Sequence, residues 1–280
     1  MVDNLIDRLI DLAITEDIGD GDHSSLSCIP IDAVGSVRLM VKQQGIIAGV
    51  DIAQRIFYKL DNLIKFEKLI ADGTLVNPGD FVFVASGNTH SLLQSERIVL
   101  NVMQRMSGIA TQTNRYVKAI AGTKAKILDT RKTTPGMRVF DKLAVKIGGG
   151  ENHRMGLYDM IMLKDNHIDF AGGIEDAIRK ANDYLVSKGK KLGIEVETRN
   201  LNEVERVLSI GGVQRIMLDN FSIDNTRKAV QLIAGRFETE SSGGINFETV
   251  RSYAECGVDF ISVGAITHQI QSIDMNLKKV

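Results

Sequence analysis

Gly193-Ile-Glu-Val-Glu197, Arg215-Ile-Met-Leu218, Phe237-Glu-Thr-Glu240 and Phe260-Ile-Ser-Val263 decide the fold. Each is a short run closed by polar or glycine-rich residues, and the four begin about 22 residues apart, the length of one strand plus one helix. Ile127-Leu128 and Met160 to Leu163 belong to the same series. Parallel strands alternating with helices make a TIM-like α/β barrel, whose chemistry lies at the C-terminal ends of the strands. Six such strands follow residue 122, fewer than the eight of a closed barrel, so an incomplete barrel is expected.

Upstream the pattern differs. Leu5, Ile6, Leu9, Leu12 and Ala13 recur at helical spacing, and Gly19-Asp20-Gly21-Asp22 ends that helix. Residues 34–50 read as strands, Asp51 to Leu60 as a helix, and Phe81-Val-Phe-Val84 as a further strand between turn signals. This is a small α+β domain. Ser95 to about Ala121 turns helical, with Val99, Met103, Met106, Ala110 and Val117 on one face and a kink expected at Ser107-Gly108. The methionines here are core filler. The expected domains are 1–110 and 111–269.

The chain has 280 residues, 44% of them hydrophobic, and a net charge of −1. That balance excludes a general nucleic-acid or anionic-membrane binder, so any positive potential is local. Cys28 and Cys256 are far apart and in no metal-ligand spacing, as expected of two reduced thiols. Asp3, Asp7 and Asp11 interrupt the first apolar residues, unlike a secretory leader, and the expected location is cytoplasmic.

The strand ends carry the chemistry. Thr130, Arg131 and Lys132 follow the first strand, and a Pro135-Gly136 turn comes next. His153-Arg154 follows three glycines, and Lys164 and His167 follow Leu163. Glu197 and Asp219 close the next two strands. Ser242-Gly243-Gly244 and Val263-Gly264-Ala265 close the last two. Cations and donors so placed suit a substrate with several negative charges. A guanidinium matches a carboxylate or phosphate bidentately. Small-residue turns let backbone N–H groups approach a phosphate, helped by a following helix N-terminus, although tight-turn geometry alone also calls for glycine. Glu195 and Glu197, two apart on a strand, share a face. They face substrate or metal, or form a structural network with nearby lysines. His167 is either functional or an ordinary loop histidine. Asp20 and Asp22 terminate a helix, and Lys42, Lys188, Lys190 and Lys191 are solvated surface.

These blocks resemble the quinolinate phosphoribosyltransferase family, also called nicotinate-nucleotide pyrophosphorylase (carboxylating). The likeness includes Glu16-Asp-Ile-Gly19 with Gly21-Asp22, Glu96-Arg97 with Leu100-Asn101, Ser107 to Thr111, Asp129 to Arg138, Gly148 to Arg154 and Leu163 to His167. It continues through Glu195-Val-Glu197, Leu218-Asp-Asn220, Glu240 to Gly244 and Val263 to His268. His23-Ser24-Ser25 departs from the commoner small hydroxyl run. The resemblance implies an N-terminal α/β sandwich domain, joined by residues 270–280, and an incomplete α/β barrel. It implies conversion of quinolinate and phosphoribosyl pyrophosphate into nicotinate mononucleotide, pyrophosphate and carbon dioxide, with Mg²⁺, in NAD biosynthesis.

It assigns the quinolinate carboxylates to Arg131, His153 and Arg154, with Thr130 beside them and Arg97 reaching in from a neighbouring subunit of a homodimer or larger even-numbered oligomer. Lys132 and Lys164 face the pyrophosphate and the developing charge. Glu197, preferred over Glu195, and Asp219 hold the ribose hydroxyls and Mg²⁺. The turns at 242–244 and 263–265 cradle the 5′-phosphate. Three alternatives stand beside this reading: a paralogue acting on another anionic base, a barrel aldolase using Lys164 as a Schiff-base amine, and a non-catalytic phosphosugar-binding module.

Overall fold

The computed structural model describes residues 2–280. They form two compact units. One holds the chain up to Asn114, Thr133–Gly149 and Ile266–Val280, and the other holds Arg115–Lys132 and Gly150–Ala265.

In the first unit, helix α1 (Val2–Ile18) buries Ile6 and Ile10, whereas Leu5 and Leu12 are exposed. The apolar stripe is therefore rotated from the expected one, because the helix is also seated by charge. Helix α2 (His23–Cys28) starts where Asp22 Oδ1 accepts the amides of Ser24 and Ser25 at 3.1 and 3.2 Å, so Asp22 is an N-cap as well as part of a terminator. Strands β1 (Val34–Val41) and β2 (Gly45–Ile46) precede helix α3 (Val50–Leu60). Arg55 of α3 grips Asp7 of α1 with two bonds of 2.8 and 2.7 Å, and Lys59 reaches Asp11 at 2.7 Å. The early aspartates thus bind α1 to α3.

Strands β3 (Lys65–Lys68), β4 (Leu75–Val76) and β5 (Phe81–Asn88) follow. β5 pairs antiparallel with both β1 and β3. Phe57 of α3 packs on Phe66 and Phe83 of that sheet, with centroids 5.9 Å away in each case, which gives the helix-on-sheet layer.

Helix α4 (Thr89–Ala119) is one element of 31 residues, with no break at Ser107-Gly108. Both residues instead serve close packing. Ser107 Oγ accepts the Ala48 amide at 2.9 Å, and a Cβ at Gly108 would strike the backbone of Gln271.

Strand β6 (Lys126–Leu128) opens the barrel unit, but helix α5 (Arg138–Ile147) belongs to the first unit. There Asp141, fully buried, takes two bonds of 2.8 Å from Arg105 of α4. Gly148 follows, and a Cβ there would lie 2.5 Å from the carbonyl oxygen of Ala110, so no side chain fits. The first of the three glycines is thus a packing residue.

The regular alternation begins at β7 (Met160–Leu163), then α6 (Asp165–Ala171), α7 (Ile174–Lys188), β8 (Gly193–Thr198), α8 (Leu201–Ile210), β9 (Arg215–Asp219) and α9 (Ile223–Ile233). It ends with β10 (Glu238–Ser242), α10 (Val250–Ala254) and β11 (Phe260–Ser262). These six strands form one parallel sheet in the order β6-β11-β10-β9-β8-β7. Among the described residues, no ladder joins the edges β6 and β7, so the barrel is open. Val196, Ile216 and Ile261 are among the apolar side chains that bury its strands. After α11 (Ala265–His268), strand β12 (Met275–Lys279) pairs antiparallel with β1, which puts the last residues in the first sheet. No helix of the described residues is long and apolar enough to cross a membrane.

Candidate active site

The C-terminal rim of the parallel sheet gathers charge from successive strands. Thr130 lies just past β6, where its hydroxyl accepts the Lys132 amide at 3.0 Å and turns the chain. Arg131 is half-buried and Lys132 exposed. Arg154 is half-buried, and its Nη1 donates to the Met160 carbonyl at 3.2 Å. Burial lowers the Arg154 pKa first, and the nearby Arg131 charge lowers it further. Glu195 and Asp159 pull it back up in part. At the end of β7, Lys164 Nζ is 3.1 Å from Glu197 Oε2 at the end of β8. Asp219 ends β9, where Asn220 Nδ2 donates to its Oδ2 at 2.7 Å.

One layer below lies a buried cluster that the sequence reading did not assemble. Arg215 stands in register with Glu195 on one neighbouring strand and Glu238 on the other, so all three share a face. Arg215 Nη1 donates to Glu240 Oε2 at 2.9 Å, and its guanidinium lies 4.0 Å from the Phe260 ring. His153 Nε2 is 2.9 Å from Glu195 Oε2 and 3.6 Å from Glu240 Oε2. Its Nδ1 accepts the Arg154 amide at 2.7 Å, and its own amide donates to the buried Asp129 at 2.9 Å.

Both ring nitrogens of His153 therefore face protein groups. The ring of His153, expected beside the quinolinate carboxylates, holds the backbone amide of Arg154. Glu240, Arg215 and Asp129 were given no role from sequence. The available signal was an acid at alternate positions inside otherwise apolar strands.

Burial pushes the Glu195 carboxyl up to about 7 against the pull of Arg215. Burial, then the Glu195 charge, pushes Glu240 up to about 8. Two buried carboxylates so close resist ionising together, so a proton kept on one relieves both costs. A carboxyl whose pKa is raised on folding stabilises the fold fully below its unfolded value, here 4.5, and loses that contribution as pH rises through the folded value. Unfolding free energy should therefore fall between about pH 4.5 and 8 and level off above, by on the order of 1 kcal/mol per pH unit for each carboxyl that the folded state keeps protonated. Calorimetry across that range checks this. An E240Q variant, which cannot ionise there, should show a flatter profile.

The remaining expected residues divide. Ser241 and Ser242 lie inside β10, so the turn begins at Gly243. Gly243 has φ +94°, and a Cβ there would lie 2.8 Å from the Asn220 amide nitrogen, so this rim position needs glycine. Gly244 follows, exposed, at φ +62°. The Val263 side chain is buried and its amide donates to the Leu128 carbonyl at 3.0 Å, so it closes the sheet and leaves Gly264 and Ala265 at the rim. Helices α10 and α11 have five and four residues, too short for the dipole expected to assist a phosphate. His167 Nδ1 accepts the Lys164 amide at 3.0 Å, which caps α6 and makes its role structural. Arg97 is exposed on α4.

Glu197 and Asp219 offer oxygen donors, the chemistry that a hard cation such as Mg²⁺ takes. Among the described residues, the group with ligand atoms close enough to share an ion is His153, Glu195 and Glu240, all within 4.8 Å of one another. Arg215 already supplies the positive charge there, and Glu195 and Glu240 are fully buried.

Known proteins share this architecture. Family models described as the quinolinate phosphoribosyl transferase N-terminal and C-terminal domains match residues 22–107 and 109–278. The chloroplastic nicotinate-nucleotide pyrophosphorylase (carboxylating) of Arabidopsis thaliana is 46% identical over 96% of this chain and 81% of its own length. A probable nicotinate-nucleotide pyrophosphorylase of Synechocystis sp. is 40% identical over 99% of this chain and 93% of its own. The crystal structure of NadC from Streptococcus pyogenes superposes with a TM-score of 0.92 at 38% identity, covering 98% of this chain and 97% of that one. With both domain models in sequence order and relatives aligned along nearly the whole chain, this protein belongs to the quinolinate phosphoribosyltransferase family.

Proposed function

We infer that the barrel rim joins quinolinate to phosphoribosyl pyrophosphate, releasing pyrophosphate and carbon dioxide and leaving nicotinate mononucleotide for NAD biosynthesis. The observation that carries this reading is the convergence of Arg131 on Arg154, which feels its charge, at the end of the sheet that also holds Lys164 and Glu197. Quinolinate brings two adjacent carboxylates, and a pair of guanidiniums answers them bidentately.

The C–O bond to pyrophosphate breaks first, leaving positive character at the anomeric carbon. The pyridine nitrogen donates its pair to that carbon. The nitrogen is then cationic and draws in the electrons of the neighbouring C–CO₂⁻ bond, so carbon dioxide leaves and the ring carbon takes a proton from water. Little acid–base work is needed, and no pyridoxal or thiamine is called for. This chain's residues act mainly by holding two anions together, worth up to ~7–11 kcal/mol in ideal cases. Lys132 and Lys164 offset the charge on departing pyrophosphate. Gly243, Gly244, Gly264 and Ala265 leave room for the 5′-phosphate, with Ser242 and Val263 fixing the strands beneath. Glu197 and Asp219 hold the ribose hydroxyls, and would hold Mg²⁺, which supplies countercharge to the pyrophosphate when bound.

A Schiff-base lysine needs a desolvated amine. The Lys164 side chain is 47% exposed and paired with Glu197, which favours the phosphoribosyl reading. The deciding assay measures nicotinate mononucleotide and carbon dioxide from quinolinate, phosphoribosyl pyrophosphate and Mg²⁺, with nicotinate as control base. Product from nicotinate but not quinolinate would overturn the assignment. Arg131→Ala and Arg154→Ala should each raise the quinolinate KM at least tenfold, by loss of a charge-assisted bond of about 1.5–3 kcal/mol. An unchanged quinolinate KM in both variants would remove the carboxylate assignment.

The same proposal includes a cytoplasmic homodimer in which Arg97 completes the neighbouring site. Its support is the exposure of Arg97 on α4 and the anionic base it would meet. Inactive Arg97→Ala and Lys164→Ala chains, mixed and reassembled, should recover part of the wild-type rate. Confirmed mixed dimers with no recovery would exclude that role.

A further inference from the structure

The buried cluster beneath the rim performs none of the bond changes above, yet it holds the residue next to Arg154. The His153 ring accepts the Arg154 amide at Nδ1, at 2.7 Å. An accepting Nδ1 carries no proton, so the single ring proton is on Nε2. Nε2 lies against carboxylates, 2.9 Å from Glu195 Oε2 and 3.6 Å from Glu240 Oε2. Glu240 is fully buried and is itself fixed by Arg215 Nη1 at 2.9 Å. Asp129 Oδ1 holds the His153 amide from the other side at 2.9 Å. Charged groups therefore run from Arg215 through Glu240 and Glu195 to the imidazole, whose Nδ1 holds the Arg154 backbone, in a largely buried interior. A metal at this cluster would need the Nε2 lone pair, which the ring proton occupies, and a place beside Glu240, which Arg215 fills.

We propose that Glu240 is a positioning residue: with Glu195 it holds His153 as the Nε2–H tautomer, and through the imidazole it fixes where the Arg154 guanidinium meets its anionic ligand. This rests on the reading of Arg154 as a ligand of the quinolinate carboxylate. Glu240, rather than Glu195, is the residue to test, because Glu195 lies on the same strand as Glu197, two residues away.

The test uses the full chain. ¹⁵N NMR of the histidine ring nitrogens, with His153 assigned by an H153Q variant, should show the His153 proton on Nε2 at neutral pH. Steady-state kinetics of E240A should show the quinolinate KM raised about tenfold or more, in line with other supporting-residue losses. The phosphoribosyl pyrophosphate KM should stay within about threefold of wild type on the same basis. E240Q, whose amide oxygen still accepts from Arg215 and whose amide N–H meets Glu195, should restore the quinolinate KM. A wild-type His153 protonated on Nδ1, or on both nitrogens, overturns the proposal even if E240A fails to fold. So does an E240A enzyme with unchanged quinolinate KM, or with both KM values raised alike. Failure of the Arg154 assignment looks different: R154A would leave the quinolinate KM unchanged while the His153 tautomer stays as expected.

Discussion

Arg215→Ala should lower the unfolding free energy by about 3–5 kcal/mol, the range for removing one partner of a buried ion pair. The guanidinium donates to Glu240 at 2.9 Å and to Glu238 at 3.0 and 3.1 Å, and it faces the Phe260 ring. Burial works against its charge, but Glu240 and Glu195 outweigh that effect and raise its pKa. With alanine there, two fully buried carboxyls lose their counter-charge and must keep protons to remain inside. The loss should therefore grow as pH rises, because those protons become harder to hold. Arg215→Lys should fall between wild type and alanine, since it keeps the charge but not the fork. Urea unfolding at pH 6 and pH 8 measures both effects. A loss below 1 kcal/mol at both pH values would show that something other than Arg215 neutralises the cluster.

The second large effect is expected on turnover. Lys164→Ala should reduce kcat by about 10²–10³, or about 2.7–4 kcal/mol, the scale for removing one preorganised group aimed at developing charge. Lys164 stands where β7 ends and α6 begins, so its backbone is fixed by the sheet on one side and by the His167 cap on the other. Its ammonium is 3.1 Å from Glu197, which keeps it at the rim. The quinolinate KM should change less than in the arginine variants. Single-turnover kinetics separates the chemical step from product release. An unchanged single-turnover rate would remove Lys164 from the chemistry, and borohydride trapping of Lys164 with a carbonyl substrate would revive the Schiff-base alternative.

Individual residues show what was legible beforehand. Lys164, Glu197 and Asp219 could be placed because a strand end is a local event: an apolar run stops and a polar residue follows. The pairing of Glu195 with Glu197 on one face also follows from strand geometry alone. The N-terminal helix was legible as a helix, but its buried stripe was not, because Asp7 and Asp11 are satisfied by Arg55 and Lys59 from far along the chain. Ser107-Gly108 reads locally as a break, yet the helix continues because Ala48 satisfies the hydroxyl and Gln271 needs the space. Helix α5 left the barrel rhythm for the same kind of reason, with Asp141 tied to Arg105 in the first unit.

The order of residues along this chain determined the alternating strands and helices, and which charged groups stand at the strand ends. Periodicity and punctuation are written in neighbouring positions. Only the tertiary structure decided that Arg215 falls between Glu195 and Glu238, and that His153 turns inward to hold Arg154 from below. Those contacts depend on the register between strands about 22 residues apart and on a dry interior in which a carboxyl and an imidazole settle their protons against each other.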